Sequence, residues 1–454
     1  MDDPATVHIS PSTLAQKIRT LDPSRFALHD PPTPEIIPLT LLHPIFAEFV
    51  ANIKLHNPTQ EDNAFVLDLR SAMSRKWESE AMRCNKFRDL LVKHYQIQLY
   101  AAGVGATTRM AHRHAMVGRF MAVVCKGKEC NGSGYPDVQG CLYWVESIRK
   151  IVQDGDPLDV LPCIFISLIG ACLLSTPYPC SLFIGPLVGF YGTVFTDRVQ
   201  LESLTDYFVL NTNTHEDAIR VASAFGAFRI AFNQLYDYYQ GLSKFHPPRF
   251  HKSALKVIFP YPNSWSTGGD IKLTYRSRLD NSRLIFSATT MDGITVLVKF
   301  TRRYSEAAHR HCAEAGVAPK LLGFRSLPAG WYMVVMEYLD PKSYRVLGPL
   351  DRSNAGLVEG IQAVVKILHD GGFVHGDIRH VNMMTPCRWT SSEKVQNLSL
   401  IDFDWAGLEG SVQYPSNVNV TSVKRHEEAK DGRLIEKAHD LFMVNHMFDG
   451  MGCD

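Results

Sequence analysis

The stretch HGDIRHVNMM at residues 375–384 and the stretch LSLIDFDWAG at residues 398–407 decide the fold of the second half of this chain. The first stretch follows an apolar run and is expected to be a loop. It carries Asp377 and, five residues later, Asn382. The second stretch predicts a short strand that ends in the tripeptide Asp-Phe-Asp, beginning at Asp402.

The spacing of these residues resembles the catalytic loop and the metal-binding turn of the protein-kinase fold. Phosphoryl transfer needs little covalent chemistry from a protein, so such a site mainly orients a hydroxyl and holds metal ions against phosphates. The resemblance implies that Asp377 accepts the hydroxyl proton and that Asn382 and Asp402 hold Mg²⁺. Arg379 stands where serine/threonine kinases usually carry a phosphate-facing lysine, and His375 is expected to pack and hydrogen-bond within the loop. The alternative is that both motifs are turns of an unrelated α/β protein.

Upstream, the runs DIKLTYRSRL, RLIFSATT and TVLVKF predict three antiparallel strands, and the last of them carries Lys299. In the kinase fold, a lysine on the third strand holds the α- and β-phosphates of ATP and pairs with a glutamate of the next helix. Lys299 is therefore predicted to bind phosphate, with Glu306 favoured over Glu314 as its partner in a helix at 304–315. The alternative is a surface lysine at the end of a strand.

The run GWYMVVMEYLD predicts a buried strand and a connector that match the hinge between the kinase lobes. Backbone groups from Glu337 to Leu339 would then hydrogen-bond adenine, and Met336 or Val335 would line the adenine pocket. An ordinary core strand is compatible with the same residues. In the run HDLFMVNHMF, Asp440 is expected to anchor the catalytic loop through backbone hydrogen bonds.

Together these motifs resemble the protein-kinase-like proteins of mushroom-forming fungi, and the run FVLDLRSAMSRKWESEAMRCNKFRDLL extends the resemblance to the N-terminal half. The resemblance implies an α+β protein: a bilobal kinase-like domain, with a small β lobe and a reduced, C-terminally short helical lobe, preceded by a mixed α/β domain. There are departures from the kinase pattern. The first hairpin turn reads RLDNSR in place of a glycine-rich loop, DFD replaces DFG and adds the carboxylate of Asp404, and no APE motif is found.

A chain of 454 residues is long enough for two domains. Residues 1–35 are rich in Pro, Asp, Ser and Thr, which predicts a flexible segment. Residues 36–245 are predicted as the mixed α/β domain and residues 246–454 as the kinase-like domain. The α/β domain resembles a restriction-endonuclease-like fold in five positions: Lys128, Gly132, Gly134, Asp137 and Gln139. The fold is expected to be degenerate, because Lys126 stands where an acidic metal ligand is expected.

A formal net charge of +1 gives no clear signal for nucleic-acid binding, and the ten cysteines show no zinc spacing. The N-terminus lacks the pattern of a secretory signal, so an intracellular protein, cytoplasmic or nuclear, is expected. Residues 160–195 carry no charge but are interrupted by prolines, so they predict short buried strands and not a membrane segment.

The sequence therefore predicts an ATP- and Mg²⁺-dependent phosphotransferase, with serine or threonine of an unidentified protein as the first choice of acceptor. Two alternatives stay open. The missing glycine loop favours a catalytically weak pseudokinase or interaction module, whereas HGD with a short helical lobe also resembles the aminoglycoside and choline kinases, which act on small molecules.

Overall fold

The computed structural model describes residues 36–75, 77–101, 113–128, 140–141, 143–148, 160–170, 172–174, 182–184, 186–195, 199–211, 214–244, 258–266, 270–348, 351, 355–387 and 398–449. Its contacts divide the chain into two compact units between Tyr261 and Pro262. The predicted flexible segment at 1–35 and the predicted boundary near residue 245 lie outside the described residues.

The first unit contains a mixed sheet in the order β1-β2-β3-β4-β7-β8, with β9 also paired to β7. Strands β3 and β4 run parallel, and the other described neighbours in this sheet run antiparallel. The strands are β1 (Tyr100–Ala101), β2 (Arg113–Val117), β3 (Phe120–Lys128), β4 (Leu161–Ile169), β5 (Cys172–Leu174), β6 (Leu182–Ile184), β7 (Leu187–Phe195), β8 (Val199–Ser203) and β9 (Phe208–Val209).

Strands β4 and β7 confirm that the uncharged stretch at 160–195 forms short strands. They pair from Leu161 with Phe195 to Ile169 with Leu187, and most of their side chains are buried. Strands β5 and β6, between them in sequence, pair as a separate two-stranded hairpin. Of the described helices, none is both long and apolar enough to cross a membrane.

The helices of the first unit are α1 (Leu39–Leu42), α2 (Pro44–Leu55), α3 (Gln60–Met73), α4 (Glu80–Tyr95) and α5 (His215–Lys244). The apolar pattern of residues 65–97 is typical of helix, and the structure has two helices over this stretch, α3 and α4. Helix α3 ends at Met73, and α4 begins after Ser79, whose hydroxyl accepts a hydrogen bond from the Met82 N–H. Serine favours such caps because its side chain competes with the helical backbone for hydrogen bonds.

The second unit contains an antiparallel sheet in the order β10-β11-β12-β13-β15-β14. The helix α6 (Glu306–Glu314) follows β13 in the chain and precedes β14. The strands of this sheet are β10 (Ser264–Ser266), β11 (Asp270–Asp280), β12 (Ile285–Thr290), β13 (Thr295–Thr301), β14 (Leu321–Leu327) and β15 (Trp331–Glu337).

The rest of the second unit is organised around α7 (Ala355–Asp370) and α8 (Lys437–Asn445). Apolar side chains of α6, α7 and α8 share one buried cluster with Phe403, so the turn that follows Asp402 is fixed by the core. Two small sheets complete the unit, from β16 (Tyr344–Val346), β18 (Met383–Pro386) and β19 (Ser399–Leu400), and from β17 (Phe373–Val374) and β20 (Gly407–Leu408).

Candidate active site

The loop that follows β17 is held from below by helix α8. Asp440 is fully buried, and its two carboxylate oxygens accept hydrogen bonds from the backbone N–H groups of His375 and Gly376, each at 2.8 Å. Gly376 has a φ of +79°, a conformation that disfavours any side chain, and a Cβ there would lie 2.8 Å from Ile435. The predicted anchoring by Asp440 is confirmed.

His375 is buried beneath the loop. Its Nδ1 accepts a hydrogen bond from the Asp377 N–H at 3.2 Å, its Nε2 lies 3.2 Å from the Ile401 carbonyl, and its ring meets Phe403 edge-on. These contacts confirm the predicted role in packing and hydrogen bonding, because Nδ1 is engaged within the loop and Nε2 by the segment that precedes Asp402.

Asp377 is surrounded by three side chains that donate hydrogen bonds. Arg425 lies 2.6 Å from Oδ1, while Arg379 at 2.8 Å and the Nδ2 of Asn382 at 2.9 Å share Oδ2. Asn382 also donates to the backbone carbonyl of Asp377. The predicted trio of Asp377, Arg379 and Asn382 is therefore in direct contact.

Asp402 follows β19 and adopts a φ of +69°, which is uncommon for a residue with a side chain. Such strain is often found at functional positions, where surrounding contacts hold it in place. Lys299 on β13 lies 2.5 Å from Oδ1 of Asp402, and Arg283 from the turn between β11 and β12 lies 2.6 Å from Oδ2. Lys299 and Asp402, predicted from separate motifs, thus form an ion pair.

Asp404 lies on the other side of Lys299. The Lys299 Nζ is 2.6 Å from Oδ1 of Asp404, close enough for an ion pair but outside hydrogen-bonding geometry, and the Thr301 hydroxyl donates to Oδ2 at 3.3 Å. One ammonium therefore lies between two carboxylates.

The two carboxylates have opposite pKa shifts. Burial alone would raise the pKa of Asp402, but the charges of Lys299 and Arg283 outweigh it and hold that pKa well below the usual range. Burial raises the pKa of Asp404 to about 6, since the attraction of Lys299 does not offset burial together with the repulsion of Asp402. Asp402 therefore stays anionic to a lower pH than Asp404 does.

The predicted pairing of Lys299 with Glu306 is wrong. Glu306 is exposed at the first turn of α6, and its carboxylate accepts two hydrogen bonds from Arg310, one turn further along. His309 is fully buried in this helix, as are Ala308 and Cys312, and its ring stacks on Phe403 with the centroids 4.7 Å apart. Lys299 finds its carboxylates in Asp402 and Asp404 instead.

The predicted adenine residues lie at the end of β15. Met336 is buried and pairs in the sheet with Leu297 and Leu321. The backbone N–H of Glu337 donates to the Lys320 carbonyl, while its side chain accepts from the Lys320 N–H, so this N–H is not available to adenine. Leu339 is half-buried in the following connector.

A cleft of about 360 Å³ is lined by four of the nine predicted site residues. Its lining includes Lys299, Asp377, Arg379 and Asp402, whereas Glu306, Met336, Glu337 and Leu339 are not part of it. Asn382 reaches the site through Asp377. The rest of the lining combines further charged side chains with Leu284, Phe300, Trp331 and Trp405, so the cleft offers both charged and apolar surface.

Two functional residues were missed by the sequence reasoning. Arg425 is 48 positions from Asp377 in sequence and Arg283 is 119 positions from Asp402, and neither belongs to a motif. The turn RLDNSR was noted for its missing glycines, and its Arg283 was the available signal.

No family model and no curated protein sequence matches the chain. Among solved structures it is similar to vaccinia related kinase 3 (16% identity, 41% of this chain and 66% of that one, TM-score 0.30) and to the kinase PK-1 of Cydia pomonella granulovirus (15%, 39% and 70%, 0.31). It is also similar to WaaP, solved in complex with acyl carrier protein (24%, 30% and 63%, 0.23).

The chain spans about two thirds of the length of these structures, so the likeness is to a kinase-like fold over part of the chain. With identities below 25% and TM-scores below 0.5, the chemistry rests on the site residues alone. Membership of the fungal family stays a prediction.

Proposed function

We propose that the second unit is an ATP- and Mg²⁺-dependent phosphotransferase that transfers the γ-phosphoryl group to a hydroxyl. The observation that carries the proposal is the shared cleft, in which Lys299, Asp377, Arg379 and Asp402 come together from three separate segments of the chain. These segments supply a proton acceptor, a metal-binding carboxylate and cations for the phosphates, which are the parts that phosphoryl transfer needs.

Two oxygen donors fit Mg²⁺, one from Asp402 in the lining of the cleft and one from Asn382, which is hydrogen-bonded to Asp377. Asp402 stays anionic because of its lowered pKa, and Asn382 uses its Nδ2 for Asp377, which leaves its Oδ1 for a metal. Mg²⁺ prefers such hard oxygen ligands, and when bound it neutralises charge on the phosphates.

The cations of the cleft would take the place of a glycine-rich loop. Lys299 on β13 and Arg283 on the turn between β11 and β12 both point at Asp402. Because the turn lacks glycines whose N–H groups could surround a phosphate, the guanidinium of Arg283 is the group from this turn that we assign to the phosphates. Arg379, whose Nε is buried without a hydrogen bond, is a further phosphate contact.

Asp377 would accept the proton of the attacking hydroxyl. In the free chain both of its oxygens are engaged, and Arg379 is the more exposed of the two arginines, at 27% against 2% for Arg425. A bound phosphate would attract Arg379 away from Oδ2, which frees that oxygen for the nucleophile, while Arg425 continues to orient the carboxylate.

A protein serine or threonine remains the first choice of acceptor, from the position of Arg379. The second candidate function is a pseudokinase, and one observation favours it: Lys299 and Arg283 already satisfy both oxygens of Asp402. A metal ion would have to displace at least one of these cations, and if it does not, the site is a closed ionic network that only supports the fold.

The test compares Asp377→Asn with Asp370→Asn, a matched change at an exposed carboxylate that pairs with Lys366 at the end of α7. Slow ATP hydrolysis or autophosphorylation is measured with and without Mg²⁺, and nucleotide binding is followed by the shift in melting temperature. We expect Asp377→Asn to bind Mg-ATP but to lose about 100-fold or more of turnover, the usual contribution of a general base. Asp370→Asn should behave as the wild type.

Two results would contradict the proposal. If Mg-ATP neither raises the melting temperature of the wild type nor is consumed, the protein is a pseudokinase that does not bind nucleotide, and the proposed transfer does not occur. If turnover is present but equal in Asp377→Asn and the wild type, the reaction does not use this loop.

A further inference from the structure

A second cluster of metal-binding side chains lies outside the cleft. His426, Glu428 and His439 each offer one ligand atom, and these three atoms lie within 4.8 Å of one another. His439 is in the first turn of α8, and the other two belong to the segment that precedes this helix. The rings of His426 and His439 are stacked with their centroids 4.9 Å apart.

One nitrogen of this cluster lacks a partner. His439 is only 2% exposed, and its Nδ1 lies 3.3 Å from the Tyr414 hydroxyl and 3.4 Å from the Glu436 N–H. Its Nε2 is buried and has no hydrogen-bond partner among the described residues. A buried polar atom of this kind is costly, and native structures usually satisfy it with a protein group, water or an ion.

In the structure Nδ1 of His439 accepts the long hydrogen bond from the Glu436 N–H, which places the ring proton on Nε2. A metal at Nε2 therefore requires the proton to move to Nδ1, which would give up the Glu436 contact and donate to the Tyr414 hydroxyl instead. A histidine ligand normally donates its other N–H to a neighbouring group in this way, which fixes its orientation.

We propose that His426, Glu428 and His439 bind a Zn²⁺ ion, with water in the fourth position. Two histidines and one glutamate are an established type of ligand set for zinc, with bonds of about 2.0–2.2 Å. The ligand atoms would have to draw closer together, and the exposed side chain of Glu428 and the half-buried one of His426 leave room for this. Mg²⁺, which needs oxygen ligands, does not suit the site.

The ion would join two parts of the chain that both reach the catalytic loop. The segment beside His426 carries Arg425, which contacts Asp377, and the residue after His439 is Asp440, which binds the loop from below. The proposal does not depend on phosphoryl transfer, because it rests on the ligand cluster and the unpartnered nitrogen.

The test uses the full chain after removal of metals with a chelator. Zn²⁺ is titrated by calorimetry in the presence of excess Mg²⁺, bound metal is counted by elemental analysis after dialysis, and Co²⁺ is used as a spectroscopic probe of the coordination. We expect one Zn²⁺ per chain, a higher melting temperature, and a visible Co²⁺ absorption band typical of four ligands.

The variants are His426→Ala and Glu428→Gln, with Glu427→Gln as the matched control at the neighbouring exposed carboxylate. Each ligand variant should weaken Zn²⁺ binding about 100-fold or more, since even the loss of an outer-shell partner costs about 10–100-fold. Glu427→Gln should bind as the wild type does. None of the three changes removes a buried side chain, so folding is expected to survive and a melting curve without metal checks it.

The proposal is overturned if the wild type binds no Zn²⁺ stoichiometrically. It is equally overturned if His426→Ala and Glu428→Gln bind the ion as tightly as Glu427→Gln, because the metal is then held by other histidines of the chain.

Discussion

The side chain of Asp62 in the first unit is fully buried and that of Asp402 in the second is 12% exposed, and the groups that lie closest to the two carboxylates differ in kind. Asp62 accepts hydrogen bonds from His56 at 2.8 Å, from the N–H and hydroxyl of Thr59 at 2.9 and 2.8 Å, and from the Tyr95 hydroxyl at 3.0 Å. Asp402 forms ion pairs with Lys299 and Arg283, and its own backbone has an uncommon positive φ.

The difference teaches how to separate a structural carboxylate from a functional one. Arg229 lies at the longer distance of 3.4 Å from Oδ1 of Asp62. The shorter contacts from His56 and Thr59 come from residues fewer than seven positions away, and together with Thr59 Asp62 forms the capping box of α3. Donors of this kind stay in place when a ligand arrives. Lys299 and Arg283 are long side chains that can leave Asp402 and bind a phosphate instead. The contacts of Asp402 are therefore of a kind that a ligand can replace.

The largest expected effect is that of Asp402→Asn on catalysis. The amide tolerates the positive φ, so the backbone is kept, but the negative charge that we propose to hold Mg²⁺ is lost. Because a metal ion supplies several kcal/mol to such a transition state, we expect a fall in Mg²⁺-dependent turnover of about 1000-fold. ATP turnover with and without Mg²⁺ measures it. Unchanged turnover would place Asp402 with Asp62 as a structural residue.

The opposite result is expected for Asp62→Ala, which should lower the free energy of unfolding by about 3 kcal/mol. The change leaves the Tyr95 hydroxyl and His56 without their buried acceptor and opens the cap of α3. Denaturant unfolding measures it, with the neighbouring Glu61→Ala as control, expected within about 0.5 kcal/mol of the wild type. If Asp62→Ala lowers the free energy of unfolding as little as Glu61→Ala does, Asp62 is not a structural carboxylate and does not differ from Asp402 in this respect.

The smallest effect is a pH dependence at Asp404. Its pKa of about 6 lies above the value of the unfolded chain, so the folded state keeps a proton that the unfolded state releases. The contribution of Asp404 to stability is therefore present at low pH and is lost as the pH rises from about 4 to 6.

The difference in unfolding free energy between the wild type and Asp404→Asn isolates this contribution from that of the histidines. The free energy of unfolding of the variant, relative to that of the wild type, should increase as the pH rises through this window. Asp292→Asn, at an exposed turn, should show a constant difference across the same range. A constant difference for Asp404→Asn as well would mean that its carboxylate titrates as an exposed one does.

The sequence predicted those parts of the site that depend on local spacing. Lys299 on its strand, the loop from His375 to Asn382 and the anchoring by Asp440 are set by neighbouring residues and by the order of elements, and the structure brings them together. The Glu306 pair failed because helical periodicity does not decide which face of α6 turns inward. Arg425 and Arg283 could not be predicted, since their contacts join segments far apart in sequence.

The two N–H groups bound by Asp440 also have a consequence for amide hydrogen exchange. The backbone N–H groups of His375 and Gly376 donate hydrogen bonds to the carboxylate of Asp440 in α8. Their hydrogens can exchange with solvent only when the loop and this helix separate. Their exchange rates therefore report how often the loop at residues 375–382 separates from α8, and they do so without any substrate.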